Sequence, residues 1–272
     1  MPIVRVNGCD FRYELRGRGP GLVFIHGEIH GLDYWEHQIA EFSRDFQCLA
    51  YDRRGHGGSE MTPYGFSLVN QTRDLAHLLD HFQIERPVLV ALAFGTTVAA
   101  NFAIQYPDRV RGLVIAAWSE LRDAMEYFSR WETSGRRAAE VLEREGREAL
   151  VSLLRAEGGR TLFRVIPEAS TMREKVIQLL ASHPVEEYRR GMLELASSVP
   201  DLIPAFRALD IPVLGVYGTD DPFPDQPELL SGMKSFREAP PIEGGGRFLQ
   251  WEQPQAFNRL VRQFLEQEVR AS

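Results

Sequence analysis

Residues 26–31 read His-Gly-Glu-Ile-His-Gly, directly after the apolar run Leu22–Ile25. A carboxylate such as Glu28, raised by burial and lowered by a nearby cation, can serve as a general acid or base at neutral pH. His30 titrates close to neutrality and is placed to share that work. The plainer roles are an exposed loop glutamate or a salt bridge from Glu28 to Arg247, and a solvent-facing histidine. Far along the chain stand Asp220, Asp221 and Arg247. The Arg247 guanidinium is always charged, so it cannot shuttle protons, but its planar fork can hold a carboxylate, an enolate or a phenolate. A third candidate is backbone. Ala91-Leu92-Ala93-Phe94-Gly95 joins an apolar run to a helical segment, and amides near Phe94 and Gly95 at the start of that helix form an anion site.

These groups need a frame. Ile3–Val6 and Phe11–Arg16 flank Asn7-Gly8, a strong hairpin signal. Leu22–Ile25, Phe46–Tyr51, Val88–Leu92, Leu113–Ala117 and Val213–Tyr217 are short continuous apolar runs, as expected of strands covered on both faces. Amphipathic helical segments lie between them, among them Ser67–Phe82, with Leu68, Leu75, Leu78 and Leu79 on one face. Strands alternating with helices predict a doubly wound, mostly parallel α/β sheet. The alternation stops over residues 121–209, which offer no convincing strand and are rich in Glu and Arg at helical spacing. This stretch reads as a helical cap inserted into a core of residues 1–120 and 210–272, lying over the carboxyl ends of the strands, where open α/β sheets bind ligands.

Composition narrows the partners. The chain has 272 residues, 44% hydrophobic and 25% charged, with a net charge of −7. That balance gives nucleic acid no basic footprint. No stretch approaches the length of a membrane span, and charge breaks the first residues too soon for a signal peptide, so the expected address is the cytoplasm. Cys9 and Cys48 make neither a disulfide framework nor a CxxC pair. The expectation is a small-molecule ligand with no cofactor and no metal; the oligomeric state is not readable.

Four landmarks in order resemble the α/β-hydrolase fold superfamily. His26-Gly27 follows the first buried strand. Asp52 to Ser59 is similar to the family's D-x-R-G-x-G-x-S turn. Gly218 to Pro222 looks like the loop that carries the acid, at Asp221 or, in a competing register, Asp220. Gly246 to Pro254 looks like the family's G-H-F-x-x-x-E-x-P stretch. The resemblance implies an α/β-hydrolase fold with a cap. It also implies that Ala93 stands where the family's G-x-S-x-G elbow holds its serine, and that Arg247 stands where it holds its histidine. Alanine has no oxygen to attack a carbonyl. An engineered serine-to-alanine change would look the same at Ala93, but Arg247 and the preceding Ala91-Leu92 count against that origin.

The resemblance gives Asp221 and Arg247 the family's acid and base positions, with Asp221 positioning Arg247, and Glu28, where the family places an apolar or small residue, joins them as a catalytic candidate on its own chemistry. Ala93, Phe94, His30, Trp118, Glu120 and Phe248 are candidates for the substrate pocket, and Glu120 is a reserve acid. His26 and His56 are expected to support their loops. The implied function is non-covalent acid–base or electrostatic catalysis on a small, partly apolar, anionic substrate, whether as lyase, cyclase, isomerase or atypical hydrolase. The alternative is a small-molecule-binding pseudoenzyme.

Overall fold

The backbone turns at Asn7 and Gly8 with φ of 44° and 71°, and this joins strands β1 (Ile3–Val6) and β2 (Cys9–Arg16) in the expected hairpin. In the computed structural model, which describes residues 1–28, 31–118, 121, 135–157, 173–191, 194, 197–221 and 223–269, that hairpin begins an eight-stranded sheet. The other strands are β3 (Gly21–Ile25), β4 (Gln47–Tyr51), β5 (Val88–Leu92), β6 (Gly112–Ala116), β7 (Val213–Val216) and β8 (Phe236–Glu238). The order is β1-β2-β4-β3-β5-β6-β7-β8. Every neighbouring pair from β4 to β8 is parallel, and β2 meets β4 antiparallel. This is the α/β-hydrolase fold, as expected from the alternation of apolar runs and helices. β8 is an addition: its three residues are half-buried or exposed at the sheet edge, so they form no apolar run.

Side-chain alternation on the strands divides the core in two. Val23, Ile25, Leu49, Leu89, Ile115 and Val213 face α2 (Leu68–His81) and α3 (Phe94–Gln105). Leu22, Phe24, Ala50, Val90, Val114 and Val216 face α1 (Glu36–Phe42) and the C-terminal Pro254–Phe264 helix. Between β6 and β7 the described residues hold helices and no strand. These include α4 (Arg147–Glu157), α5 (Arg173–Leu180) and the helical turn Glu187–Gly191. They build a third apolar cluster of Leu150, Leu154, Ile177, Leu180 and Tyr188, which closes onto Tyr34, Phe248 and Trp251 from outside that segment. No helix among the described residues is long and apolar enough to cross a membrane.

The chain leaves β3 toward β4 on one side and returns to β5 on the other. The strand order therefore reverses at β3, and the crevice outside the carboxyl ends of the strands at such a point is where this architecture takes ligands.

Candidate active site at the carboxyl ends of the strands

Six loops leave those carboxyl ends, one after each parallel strand. The loop after β5 is a single residue, Ala93, with φ 50° and ψ −126° before α3 begins. Its N–H donates to Ala116 O at 3.0 Å, and its carbonyl accepts from Thr96 N at 2.8 Å. A non-glycine residue at positive φ stores strain of about 1–3 kcal/mol, which persists only where the surroundings dictate it. Here they do. A Cβ on Gly95 would come within 2.4 Å of Ile25 O and 2.6 Å of His26 O, so the first turn of α3 lies directly on the end of β3. Ala93 and Phe94 thus stand at the positive end of the α3 dipole.

The loop after β4 is a scaffold. Asp52 accepts from Leu32 N at 2.7 Å and Gly58 N at 2.8 Å and is ion-paired with Arg12. A Cβ on Gly57, whose φ is 52°, would fall 2.3 Å from the Asp52 carboxylate. Arg54 grips Asp74 through Nε at 2.9 Å and Nη2 at 2.6 Å. Asp52, Arg54 and the glycines of the motif therefore serve the turn. The two residues between them, Arg53 and His56, turn inward.

His26 Nε2 accepts the Arg53 backbone N–H at 2.8 Å, and its Nδ1 donates to Gly27 O at 2.7 Å, which fixes a neutral ring. Glu28 is buried. It is Arg53, and not Arg247 as the sequence suggested, that meets its carboxylate, with Nη2 at 2.7 Å from Oε2. Arg53 is held in turn by Gln71 Oε1 at 2.6 Å and Gly27 O at 2.9 Å. Burial pushes the Glu28 carboxyl up, but Arg53 and His56 outweigh it and bring the pKa to about 2. Glu28 is accordingly a fixed anion at neutral pH and not the poised acid its position suggested.

His56 Nε2 lies 3.3 Å from Glu28 Oε1 and 3.1 Å from Glu187 Oε1. Glu187 Oε2 in turn meets His183 Nδ1 at 2.6 Å. Burial works against the His56 imidazolium, but the carboxylates prevail and its pKa lies above the ordinary value. Neither Glu187 nor His183 was singled out from sequence, and His56 had only a loop-supporting role. The one local signal was the i, i+4 spacing of His183 and Glu187, the spacing of neighbours on a helix, although His183 itself lies in the bend before the helical turn. Glu28, His56 and Glu187 bring their donor atoms within 4.8 Å of one another.

The loops after β7 and before the last helices carry the remaining charges. Arg247 Nη1 lies 3.5 Å from Asp221 Oδ1, with side chains 5% and 0% exposed. The Phe223 N–H donates to the same oxygen at 3.0 Å, and the Arg247 guanidinium stacks 5.0 Å from the Phe223 ring centre. The partner expected of Asp221 is in place. Glu252, late in the Gly246–Pro254 stretch, accepts from Gly246 N at 2.7 Å and so closes that loop.

Of the pocket candidates, Trp118 is fully buried. Its Nε1 donates to Gln226 O at 2.9 Å, and its ring packs against Tyr217 and Phe236. Phe248 is buried against Tyr34, with ring centres 5.7 Å apart, in the cluster shared with α4 and α5. His30 and Glu120 lie outside the described residues.

Known proteins agree with this frame. The family model described as alpha/beta hydrolase fold matches residues 20–254. A 3-oxoadipate enol-lactonase 2 of Acinetobacter baylyi is 26% identical over 260 residues, 89% of this chain and 87% of its own. A putative 2-succinyl-6-hydroxy-2,4-cyclohexadiene-1-carboxylate synthase of Bacillus subtilis is 25% identical over 285 residues, 97% of this chain and 99% of its own. Among solved structures, a thermophilic esterase of Thermogutta terrifontis with malate bound superposes with a TM-score of 0.79 at 26% identity, covering 97% of this chain and 96% of that one. With the matched model spanning the sheet, the strand–helix turn at Ala93 and the Asp221 and Arg247 loops, the chain belongs to the alpha/beta hydrolase fold family.

Proposed function

We propose that the protein is an α/β-hydrolase-fold enzyme that works without a Ser-His-Asp triad, by electrostatic stabilisation of a small, partly apolar, anionic substrate. The observation that carries the reading is the pair of residues at the two key positions. A methyl group stands at the strained turn where the family motif has a hydroxyl, and an arginine bound to Asp221 stands where it has an imidazole. Without the oxygen there is no acyl-enzyme, and without the imidazole nothing accepts its proton. The α3 amides and the Arg247 fork both favour negative charge, and charge that develops during a reaction is stabilised most by donors already in place. Glu28, a buried anion paired with Arg53, opposes an oxyanion of ester hydrolysis. Lyase, cyclase, isomerase or non-covalent hydrolytic chemistry fits this arrangement. The relatives' names point to the same ligand class: one carries oxoadipate, one a cyclohexadiene carboxylate, and the esterase structure holds malate.

A second reading, a binding protein without turnover, draws support from the compensation of Glu28 by Arg53 and of Asp221 by Arg247. One experiment separates the outcomes. The purified protein is exposed to p-nitrophenyl acetate and to a fluorophosphonate probe that labels activated serines. Its melting temperature is then measured with malate and adipate, and enol-lactones and 2-succinyl cyclohexene carboxylates are offered as substrates. No labelling, no ester turnover, stabilisation by dicarboxylates and turnover of a carboxylate substrate are expected. Serine labelling or ester turnover overturns the reading, and binding without any turnover moves the assignment to the second.

A further inference from the structure

Three segments far apart in sequence send one side chain each to a single buried point. Glu28 comes from the loop after β3, His56 from the loop after β4, and Glu187 from the helical turn before β7. Their donor atoms lie within 4.8 Å of one another, and all three residues are buried. His56 Nδ1 lies 2.9 Å from Arg54 O, so that nitrogen carries a proton. Nε2 faces two carboxylate oxygens, Glu28 Oε1 at 3.3 Å and Glu187 Oε1 at 3.1 Å. Both oxygens are fully buried, and beyond these His56 contacts neither has a hydrogen-bond partner among the described residues. Arg53 Nη2 lies 3.1 Å from Nε2 and shares its two hydrogens among three acceptors, Gly27 O, Glu28 Oε2 and Nε2. Three donor atoms that converge away from bulk solvent call for positive charge between them, which either a proton on Nε2 or a metal ion supplies.

The geometry points to a divalent metal site, with Glu28, His56 and Glu187 as its protein ligands and a first-row transition ion such as zinc or manganese as its occupant. Metal–ligand bonds of about 2.0 Å in a tetrahedron give ligand–ligand edges of about 3.3 Å, and the two Nε2–O separations of 3.3 and 3.1 Å match that edge. The far side of each ligand is anchored, as metal ligands require. Arg53 holds Glu28 Oε2 at 2.7 Å, His183 holds Glu187 Oε2 at 2.6 Å, and Arg54 O holds His56 Nδ1. Imidazole with two carboxylates is a borderline-hard donor set, which favours zinc or manganese over copper(I) or calcium. Three protein ligands leave the fourth tetrahedral position to water or substrate. The site is independent of the triad reading: it stands whether or not dicarboxylates bind near Ala93.

The test uses tag-free, full-length protein stripped with chelator, then incubated with zinc(II) or manganese(II) chloride and desalted. Bound metal is counted by plasma mass spectrometry, and the melting temperature is read with and without each ion. One ion per chain and a rise in melting temperature are expected. Glu187→Gln preserves the shape and removes one ligand charge, so its metal affinity should fall about a hundredfold or more, since even losing a ligand's supporting partner costs 10–100-fold. A Cys9→Ser/Cys48→Ser variant should bind as the parent does. Substoichiometric metal in excess zinc and manganese, with the His56 ring protonated by NMR, would show that a proton fills the gap and would overturn the proposal. So would a Glu187→Gln variant that binds as tightly as the parent.

Discussion

Replacing Arg247 by methionine strands the charge of Asp221. The two groups are 3.5 Å apart, with side chains 5% and 0% exposed. At an effective dielectric of 20, unit charges at that separation attract by about 5 kcal/mol. Arg247 also stacks 5.0 Å from the Phe223 ring centre, a contact worth about 1 kcal/mol. Against this stands the cost of keeping both ions out of water, so the pair is worth less than its gross attraction. Breaking it is another matter. Asp221 keeps the Phe223 N–H on Oδ1, but its Oδ2 is buried with no hydrogen-bond partner among the described residues. An uncompensated charge in that position costs about 3–5 kcal/mol. In a domain of this size, that lowers the melting temperature on the order of 10 °C. Asp221→Asn takes one partner from Arg247 and should also destabilise the fold. The double variant Asp221→Asn/Arg247→Met removes both charges and should recover much of the loss, with a coupling of about 2 kcal/mol or more. Urea unfolding of the four proteins measures the cycle. Single variants within about 1 kcal/mol of the parent, or a double variant equal to the sum of the singles, would refute the argument.

Other outcomes follow from single residues. Ala93→Ser should gain no ester hydrolysis over buffer, because Arg247 cannot take the serine's proton; steady turnover of p-nitrophenyl acetate by that variant would contradict it. Ala93→Gly should stabilise the fold by about 1 kcal/mol: relief of φ 50°, ψ −126° returns about 1–3 kcal/mol, and the looser unfolded chain takes back about 0.4–1 kcal/mol. A lower melting temperature for this variant would show that the turn is not strained. Burial pushes the thiols of Cys9 and Cys48 up to about 12. At pH 8 neither is a thiolate, so Ellman's reagent should find no reactive thiol in the native protein and two in guanidinium; rapid native labelling would falsify the placement of that cysteine.

What could be read before the structure was what local spacing dictates. Asn7-Gly8 announces its hairpin, and the apolar runs announce the parallel strands. The turn at Ala93 is legible because strand, turn and helix follow one another without a gap. Asp221 and Arg247 were found as partners because each lies in a short motif with a fixed place in the fold order. Glu28 was found, but its partner was not. Arg53 sits 25 residues away, and only the parallel pairing of β3 with β4 brings the two loops together. Trp118 shows the reverse difficulty: a tryptophan at a strand end suits a pocket wall and a core equally, and only the approach of Tyr217 and Phe236 places it in the core.

The hardest residue was Glu187. It follows Glu186 in a stretch where Glu and Arg recur at helical spacing, and composition gives the two no difference at all. In the folded chain Glu186 is 44% exposed and pairs with Arg190 on the helix surface. Glu187 is 0% exposed and divides its oxygens between His56 and His183. One step of a helix, about 100° of rotation, separates a solvated surface charge from a buried one. A buried carboxylate needs partners to offset its desolvation. The informative signal in such a stretch is a histidine four residues before an acid, and here the bend at His183 and the helical turn that follows bring the two together. That pairing marks which of two adjacent glutamates faces inward, and it ties the segment between β6 and β7 to the chemistry at the strand ends.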